Sequence, residues 1–146
     1  LAAQVVAEMR CAGARPGAVR NLTGRTPGLA VLAAGFKDCQ LVIGNDSGPI
    51  HLAAAVGTPA LAVFGSTSPE YSGIKGPKTA NIWERLDCAP CFKRDCPRED
   101  YMACMDAIPA NRIYTEGAAL LGIEMKALDE IPRAVGDTPA VPERGD

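Results

Sequence analysis

The chain has 146 residues, a formal net charge of −2 at pH 7 and 47% hydrophobic residues. This length allows one domain with a real hydrophobic core. The slight negative charge argues against a nucleic-acid-binding surface, and we expect no membrane-spanning segment, because no run of about 18 apolar residues occurs.

The first part of the chain predicts two helices and a strand. Leu1 to Met9 suits a helix, because apolar residues recur along one face. Ala18 to Leu22 suits a short strand, and Thr23 at its carboxyl end is a candidate for ligand contact, although a plain turn leading to a helix explains this segment at least equally well. Leu29 to Phe36 suits the next helix. Leu1 stands where an intact product would begin with methionine, so we expect truncation on the N-terminal side.

The stretch from Leu41 to Phe64 carries the clearest fold signal in the chain, a strand, a short helix and a second strand. Its apolar run Leu41–Ile43 is typical of a strand buried on both faces. Small polar residues then break the pattern, and a short helix starting near Pro49 leads to a second buried strand, Ala60–Phe64. Residues 18–64 therefore predict β-α-β-α-β, half of a doubly wound, Rossmann-like parallel α/β sheet with helices on both faces.

The loop between these strands, Asn45–Gly48, carries groups suited to a polar ligand. The start of the following helix presents unpaired N–H groups and partial positive charge, which suit a phosphate or sugar hydroxyls. Gly48 lets a ligand approach the backbone, and Asp46 is assigned to sugar hydroxyls or to capping. Ser47 is either the N-cap or a donor to the ligand. His51, the only histidine, is a further hydrogen-bonding candidate; ordinary helix capping explains the same pattern.

The segment after the second strand adds hydroxyls that face the same edge of the sheet. Thr67 within Ser66–Ser68 is a candidate ligand contact, although a Ser-Thr-Ser-Pro sequence is also common in ordinary turns. Further along we expect a polar loop, a short strand, a short helix and a longer helix, at Glu70–Lys78, Ile82–Trp83, Glu99–Met105 and Ala110–Leu121. Residues 1–125 then form one partial domain, and residues 126–146, rich in Pro, Gly and charge, form a disordered tail.

Four of the six cysteines lie in a loop over residues 88–104, at Cys88, Cys91, Cys96 and Cys104. Four thiolates can hold zinc, and a C-x2-C pair is the usual opening of such a site. The other spacings are less typical, and reduced thiols or a disulfide explain the pattern as well. Lys93, Arg94 and Arg98 interleave with these cysteines and form either a solvated basic loop or a contact for an anionic acceptor or membrane phosphates.

The exact residues of several segments are more specific than their hydrophobic and polar pattern. These segments are Asn21–Thr26, Asn45–Ala55, Gly57–Pro59, Phe64–Pro69 and Cys88–Arg94 with Cys96-Pro97 and Cys104-Met105. They resemble the lipopolysaccharide heptosyltransferases of glycosyltransferase family nine, and the cysteine loop resembles the heptosyltransferase II branch. The resemblance covers about residues 1–122.

This resemblance implies the C-terminal, donor-binding half of a GT-B enzyme that transfers heptose from ADP-heptose to the inner core of lipopolysaccharide. The implied donor-site residues are Asp46, Ser47, Gly48, Pro49 and His51, with Thr23 and Thr67 as further candidates. No cofactor or metal is implied, and the expected location is cytoplasmic, at the inner face of the cytoplasmic membrane. The catalytic base is expected in an N-terminal domain that the chain lacks, so the chain alone is expected to be inactive.

Two other functions stay open. A GT-B nucleotide-sugar epimerase or hydrolase would use the same loop without a lipid acceptor, although the Cys-Phe-Lys-Arg wording of the cysteine loop favours the transferase. A non-catalytic module built around a cysteine-bound metal would unfold on chelation, but it leaves the loop before His51 unexplained.

Overall fold

The computed structural model describes residues 1–123, so the predicted tail over residues 126–146 lies outside the described residues. The described residues fall into two compact units, 1–27 and 28–123. The first unit contains helix α1 (Ala2–Cys11), which confirms the first predicted helix, although none of its residues is buried. The assignment of residues 1–125 to a single domain stays a prediction.

The strand predicted at Ala18–Leu22 is wrong, because this segment has no regular secondary structure. The N–H of Ala18 donates to the carbonyl of Arg15, and the Asn21 side chain accepts the N–H of Thr23 at 2.9 Å. An Asn side chain that bonds the backbone two residues on stabilises a turn instead of an extended strand. The predicted β-α-β-α-β arrangement therefore lacks its first strand.

The second unit contains the parallel sheet. Its helices and strands, in order, are α2 (Leu29–Lys37), β1 (Val42–Asn45), α3 (Gly48–Ala55), β2 (Ala60–Phe64), α4 (Pro69–Ser72), β3 (Thr79–Trp83), α5 (Ala103–Asp106) and α6 (Ala110–Leu120). The sheet order is β1-β2-β3, and both pairs are parallel, with Val42 opposite Ala60 and Ala60 opposite Thr79. The strand predicted near Ile82 is confirmed.

The central strand β2 is buried along its whole length and separates two apolar layers. On one face Ala62 and Phe64 pack with Ile50 of α3. On the other face Leu61 and Val63 belong to the cluster that receives residues of α5 and α6, namely Met105, Ile113 and Leu120. Because side chains alternate along a strand, one strand can anchor helices on both faces. The chain is therefore an α/β, Rossmann-like unit, as predicted.

Strand β1 lies at an edge of the sheet in the described residues, since it pairs only with β2. Its burial alternates, and the side chain of Ile43 is 50% exposed. The prediction that Leu41–Ile43 is buried on both faces is thus wrong for Ile43. An apolar run does not distinguish an edge strand from a central one, because that difference depends on which neighbours pair with it.

Candidate functional site

The carboxyl ends of β1 and β2 lie side by side, and polar residues follow both strands. The N–H of Asp46, just beyond β1, donates to the carbonyl of Val63 near the end of β2, at 3.2 Å. This bond sets the loop before α3 against the segment Gly65–Ser68. The sheet edge predicted to gather ligand-binding groups is therefore formed.

Asp46 is held by side chains from two helices. The hydroxyl of Ser72, at the end of α4, donates to Asp46 Oδ2 at 2.6 Å. Nε2 of His51, in the first turn of α3, lies 3.3 Å from Asp46 Oδ1. The Asp46 side chain is 13% exposed, whereas that of His51 is 43% exposed. The carboxylate is thus fixed within the protein while the imidazole stays open to a ligand.

The environment of Asp46 favours its ionised form. Burial acts to raise the pKa of this carboxyl, but hydrogen bonds from Ser72, Thr67 and His51, together with the charge interaction with His51, outweigh burial and hold the pKa below its ordinary value. The group is therefore a carboxylate at neutral pH, with hydrogen-bond acceptance as its chemistry.

The start of α3 is open. Ser47 occupies the N-cap position, but its hydroxyl makes no cap bond and donates instead to the carbonyl of Asn45 at 3.1 Å. Asp46 does not cap the helix either, since its oxygens contact Ser72 and His51. A Cβ placed on Gly48 would meet no atom within 4 Å. Among the described residues the N–H of Gly48 has no partner, whereas Pro49 has no N–H and the N–H of Ile50 donates to the carbonyl of Ser47 at 3.2 Å. The exposed helix start therefore offers one free N–H and room for a ligand.

A cavity of about 200 Å³ lies beside this loop. We call it the edge cavity; its lining includes Asn45, Asp46, Ser66, Thr67, Lys93, Arg94, Tyr101 and Met102. The structure thus brings Asp46 and Thr67 to one cavity. The other predicted donor residues, Ser47, Gly48, Pro49 and His51, do not line it and lie exposed at the start of α3. Thr23 belongs to the first unit and stays an untested candidate.

The four cysteines of the 88–104 loop line a second cavity, of about 290 Å³. All four are free thiols in the structure. Burial, with a smaller contribution from the neighbouring cysteines, raises the pKa of Cys104 even though a backbone hydrogen bond lowers it. Within residues 1–123, no three His, Cys, Asp or Glu side chains are grouped to hold a metal ion. The four-thiolate zinc alternative therefore gains no support from this arrangement.

Ser72 is the site residue that the sequence reasoning missed. It lies in α4, within the segment predicted to be a loop from Glu70 onward. The signal was present, because Ser68 caps this helix by accepting the N–H of Glu70 at 3.2 Å and Pro69 occupies its first turn. A Ser-Pro-Glu helix start would have predicted one helical turn and placed Ser72 at its end.

The fold and the open polar edge define a Rossmann-like α/β unit with a candidate ligand site at the carboxyl ends of its strands. The model of glycosyltransferase family 9 (heptosyltransferase) matches residues 2–102. The chain belongs to this family. No solved structure matches the chain at a significant level.

Curated relatives agree with this membership. The chain is 39% identical to lipopolysaccharide heptosyltransferase 1 of Pseudomonas aeruginosa over 69 residues, which is 47% of the chain and 19% of the relative. It is 30% identical to lipooligosaccharide heptosyltransferase 2 of Campylobacter jejuni over 104 residues, 70% of the chain and 32% of the relative. It is 38% identical to lipopolysaccharide heptosyltransferase 2 of Escherichia coli over 105 residues, 70% of the chain and 29% of the relative. The chain thus spans about a third or less of these relatives.

Among the helices of residues 1–123, none is long and apolar enough to cross a membrane.

Proposed function

We propose that the second unit binds the nucleotide sugar ADP-heptose and that the whole protein transfers heptose to the inner core of lipopolysaccharide. The observation that carries the proposal is the ionised Asp46, fixed by Ser72 beside the uncapped start of α3. Membership of a family described by heptosyl transfer supports the choice of substrate. In this proposal the unit is the donor-binding half of a GT-B enzyme.

Each residue at this edge has a proposed role. Asp46 accepts hydrogen bonds from sugar hydroxyls, because Ser72 and His51 already orient both of its oxygens. His51 supplies a further hydrogen bond to the ligand from its exposed ring. The helix start is proposed to lie against the diphosphate, where the free N–H of Gly48 and the helix dipole balance negative charge. Thr67, across the edge cavity, offers a hydroxyl to the same ligand.

The catalytic base and the acceptor site are proposed to lie outside this chain. No carboxylate at the edge cavity other than Asp46 is available among the described residues, and the proposed role of Asp46 is to accept hydrogen bonds from the donor sugar. Stabilisation of the leaving diphosphate by preorganised donors needs no metal in principle. The enzyme is proposed to work in the cytoplasm, at the inner face of the membrane, where it would meet the proposed lipopolysaccharide acceptor.

Family membership favours transfer over the two other functions considered from the sequence. A nucleotide-sugar epimerase or hydrolase would act on the donor alone, whereas the relatives are named for transfer to lipopolysaccharide or lipooligosaccharide. A metal-organised module has no described donor set of three or more side chains to support it.

Calorimetric titration of the chain with ADP-heptose tests the proposal. We expect the wild type to bind and Asp46→Asn to bind at least about tenfold more weakly, since it loses one charged hydrogen-bond acceptor. Asp38→Asn is the matched control, because Asp38 is exposed and lies at the far end of α2. A wild type that does not bind, or an Asp46→Asn variant that binds equally well, would contradict the proposal.

A further inference from the structure

Two cations of the cysteine loop line the edge cavity and form no ion pair with any residue among positions 1–123. Lys93 and Arg94 both line this cavity, as does Asp46. The ion pairs within residues 1–123 join Arg98 to Asp100 and Arg112 to Glu84, and the contact of His51 with Asp46 is an ion pair only when the imidazole is protonated. Lys93 and Arg94 belong to none of them.

Arg98, from the same loop, shows the contrast. It makes two hydrogen bonds to Asp100, at 2.6 Å from Nε and 2.8 Å from Nη2, so its charge is already neutralised. Asp95 and Glu99 lie near in the sequence but pair with neither Lys93 nor Arg94 in the described part of the chain. The loop thus neutralises one of its three cations and directs the other two towards the cavity.

The backbone next to these cations is fixed. The N–H of Phe92 donates to the carbonyl of Ser66 at 2.8 Å, which ties the loop to the end of β2. The Phe92 ring meets Tyr71 edge-on, with ring centroids 5.6 Å apart. Phe92 also has a φ of +52°, a left-handed conformation that costs a non-glycine residue about 1–2 kcal/mol. These contacts hold Phe92 in that conformation, and Lys93 follows directly.

The charges and the size of the edge cavity select its occupant. Asp46 contributes one negative charge and Lys93 with Arg94 two positive charges, so the lining has a net charge of about +1. The lining also contains the hydroxyl-bearing residues Ser66, Thr67 and Tyr101, together with apolar residues such as Val63, Met102 and Met105. A cavity of about 200 Å³ is smaller than the 300–1,000 Å³ usual for a whole drug-sized ligand. It suits an anionic group of a larger substrate.

We propose that Lys93 and Arg94 form a phosphate subsite in the edge cavity, in which the guanidinium group takes two phosphate oxygens and the ammonium group a third. The inference rests on the proposed function, since the phosphate belongs to a substrate of the same cleft. Two sources share this chemistry: the diphosphate of the nucleotide-sugar donor and a phosphate carried by the sugar acceptor.

Binding of two simple probes, ADP and glucose 6-phosphate, to the 146-residue chain tests the subsite. The variants are Lys93→Gln/Arg94→Gln, the charge-retaining Lys93→Arg/Arg94→Lys, and the control Lys37→Gln/Lys75→Gln, which removes two exposed charges elsewhere. We expect the first variant to weaken one probe at least about tenfold. The other two variants are expected to stay within about threefold of the wild type.

Loss of ADP binding alone identifies the donor diphosphate, and loss of glucose 6-phosphate binding alone identifies an acceptor phosphate. A wild type that binds neither probe, or a first variant that binds both as the wild type does, overturns the subsite. If ADP-heptose binding depends on Asp46 while the Lys93/Arg94 change is silent, the subsite fails and the proposed function stands. If ADP-heptose does not bind but glucose 6-phosphate binding depends on Lys93 and Arg94, the proposed function fails alone.

Discussion

The hydroxyl of Ser72 donates a 2.6 Å hydrogen bond to the carboxylate of Asp46, across 26 positions of the sequence. This bond joins the loop after β1 to the single helical turn α4. Ser72 itself is held by the cap that Ser68 gives to that turn. The orientation of the proposed sugar-binding carboxylate therefore depends on a segment that does not itself line the edge cavity.

Ser72→Ala is expected to raise the pKa of Asp46, because the variant loses a hydrogen bond that stabilises the ionised form. The carboxyl-carbon chemical shift of Asp46, followed against pH by NMR, measures this change. Loss of a hydrogen bond to a charged group is also expected to cost about 1.5–3 kcal/mol in the free energy of unfolding. Ser47→Ala is the control, since its hydroxyl donates to Asn45 and not to Asp46. An unchanged Asp46 titration in Ser72→Ala would show that the bond is absent in solution.

The stability of the chain is expected to fall in acid partly through Asp46. The pKa of this group is lower in the folded chain than its ordinary value of 3.8, so the folded state holds fewer protons in this range. Its contribution is complete above that value and is lost as the pH falls below it, through the folded pKa. Urea unfolding of wild type and Asp46→Asn should therefore show a smaller decline for the variant in this range. Parallel declines would contradict the assignment.

Alanine substitutions of two glycines at the sheet edge should have opposite effects on stability. Gly48→Ala introduces a Cβ with no atom within 4 Å, so stability should be unchanged or rise by up to about 1 kcal/mol, while ADP-heptose binding weakens. Gly65→Ala places its Cβ 2.8 Å from the sulfur of Met105, so the flexible Met105 side chain has to move and this variant should lose a small amount of stability. Thermal unfolding and calorimetry measure both effects. Undiminished ADP-heptose affinity in Gly48→Ala would argue against close approach of the ligand to the helix start.

The cysteines should differ in reactivity. Cys104 is half-buried and its pKa is raised, chiefly by burial, so little of it is thiolate near neutral pH. Cys39 is an exposed thiol. Timed alkylation with iodoacetamide, read by mass spectrometry of peptides, should label Cys39 before Cys104. Faster labelling of Cys104 would mean that the cysteine cavity is more open, or its thiol more acidic, than the structure indicates.

The sequence predicted the elements whose signals are local. The helices α2, α3 and α6 and the strand β2 follow from apolar periodicity, from a proline at a helix start and from short runs of β-forming residues. The strand predicted at Ala18–Leu22 was wrong because the Asn21 side chain accepts the N–H of Thr23 and stabilises a turn there. The exposure of Ile43 could not be predicted, because it depends on which strands pair with β1.

The candidate site was predicted only in part, for the same reason. Asp46 and His51 lie in one short loop and helix, so their proximity follows from local spacing. Ser72, Lys93 and Arg94 reach the same edge through α4 and the cysteine loop, and such long-range placement has no local periodicity. The left-handed Phe92, fixed on Ser66, is a second example, since a phenylalanine carries no sequence signal for that conformation.

An NMR titration of the isotopically labelled chain with ADP-heptose is the decisive test of whether this nucleotide sugar binds at the carboxyl ends of β1 and β2. The backbone N–H signals of Asp46–Gly48, Ile50–His51 and Ser66–Thr67 are expected to shift in proportion to the ligand bound. Gln40, Lys78 and Leu120 line a different cavity, next to the amino ends of the strands, so the chemical shifts of their amides should not change. Shifts confined to the amides of Gln40, Lys78 and Leu120, or no shifts at saturating ligand, would contradict binding of ADP-heptose at this site.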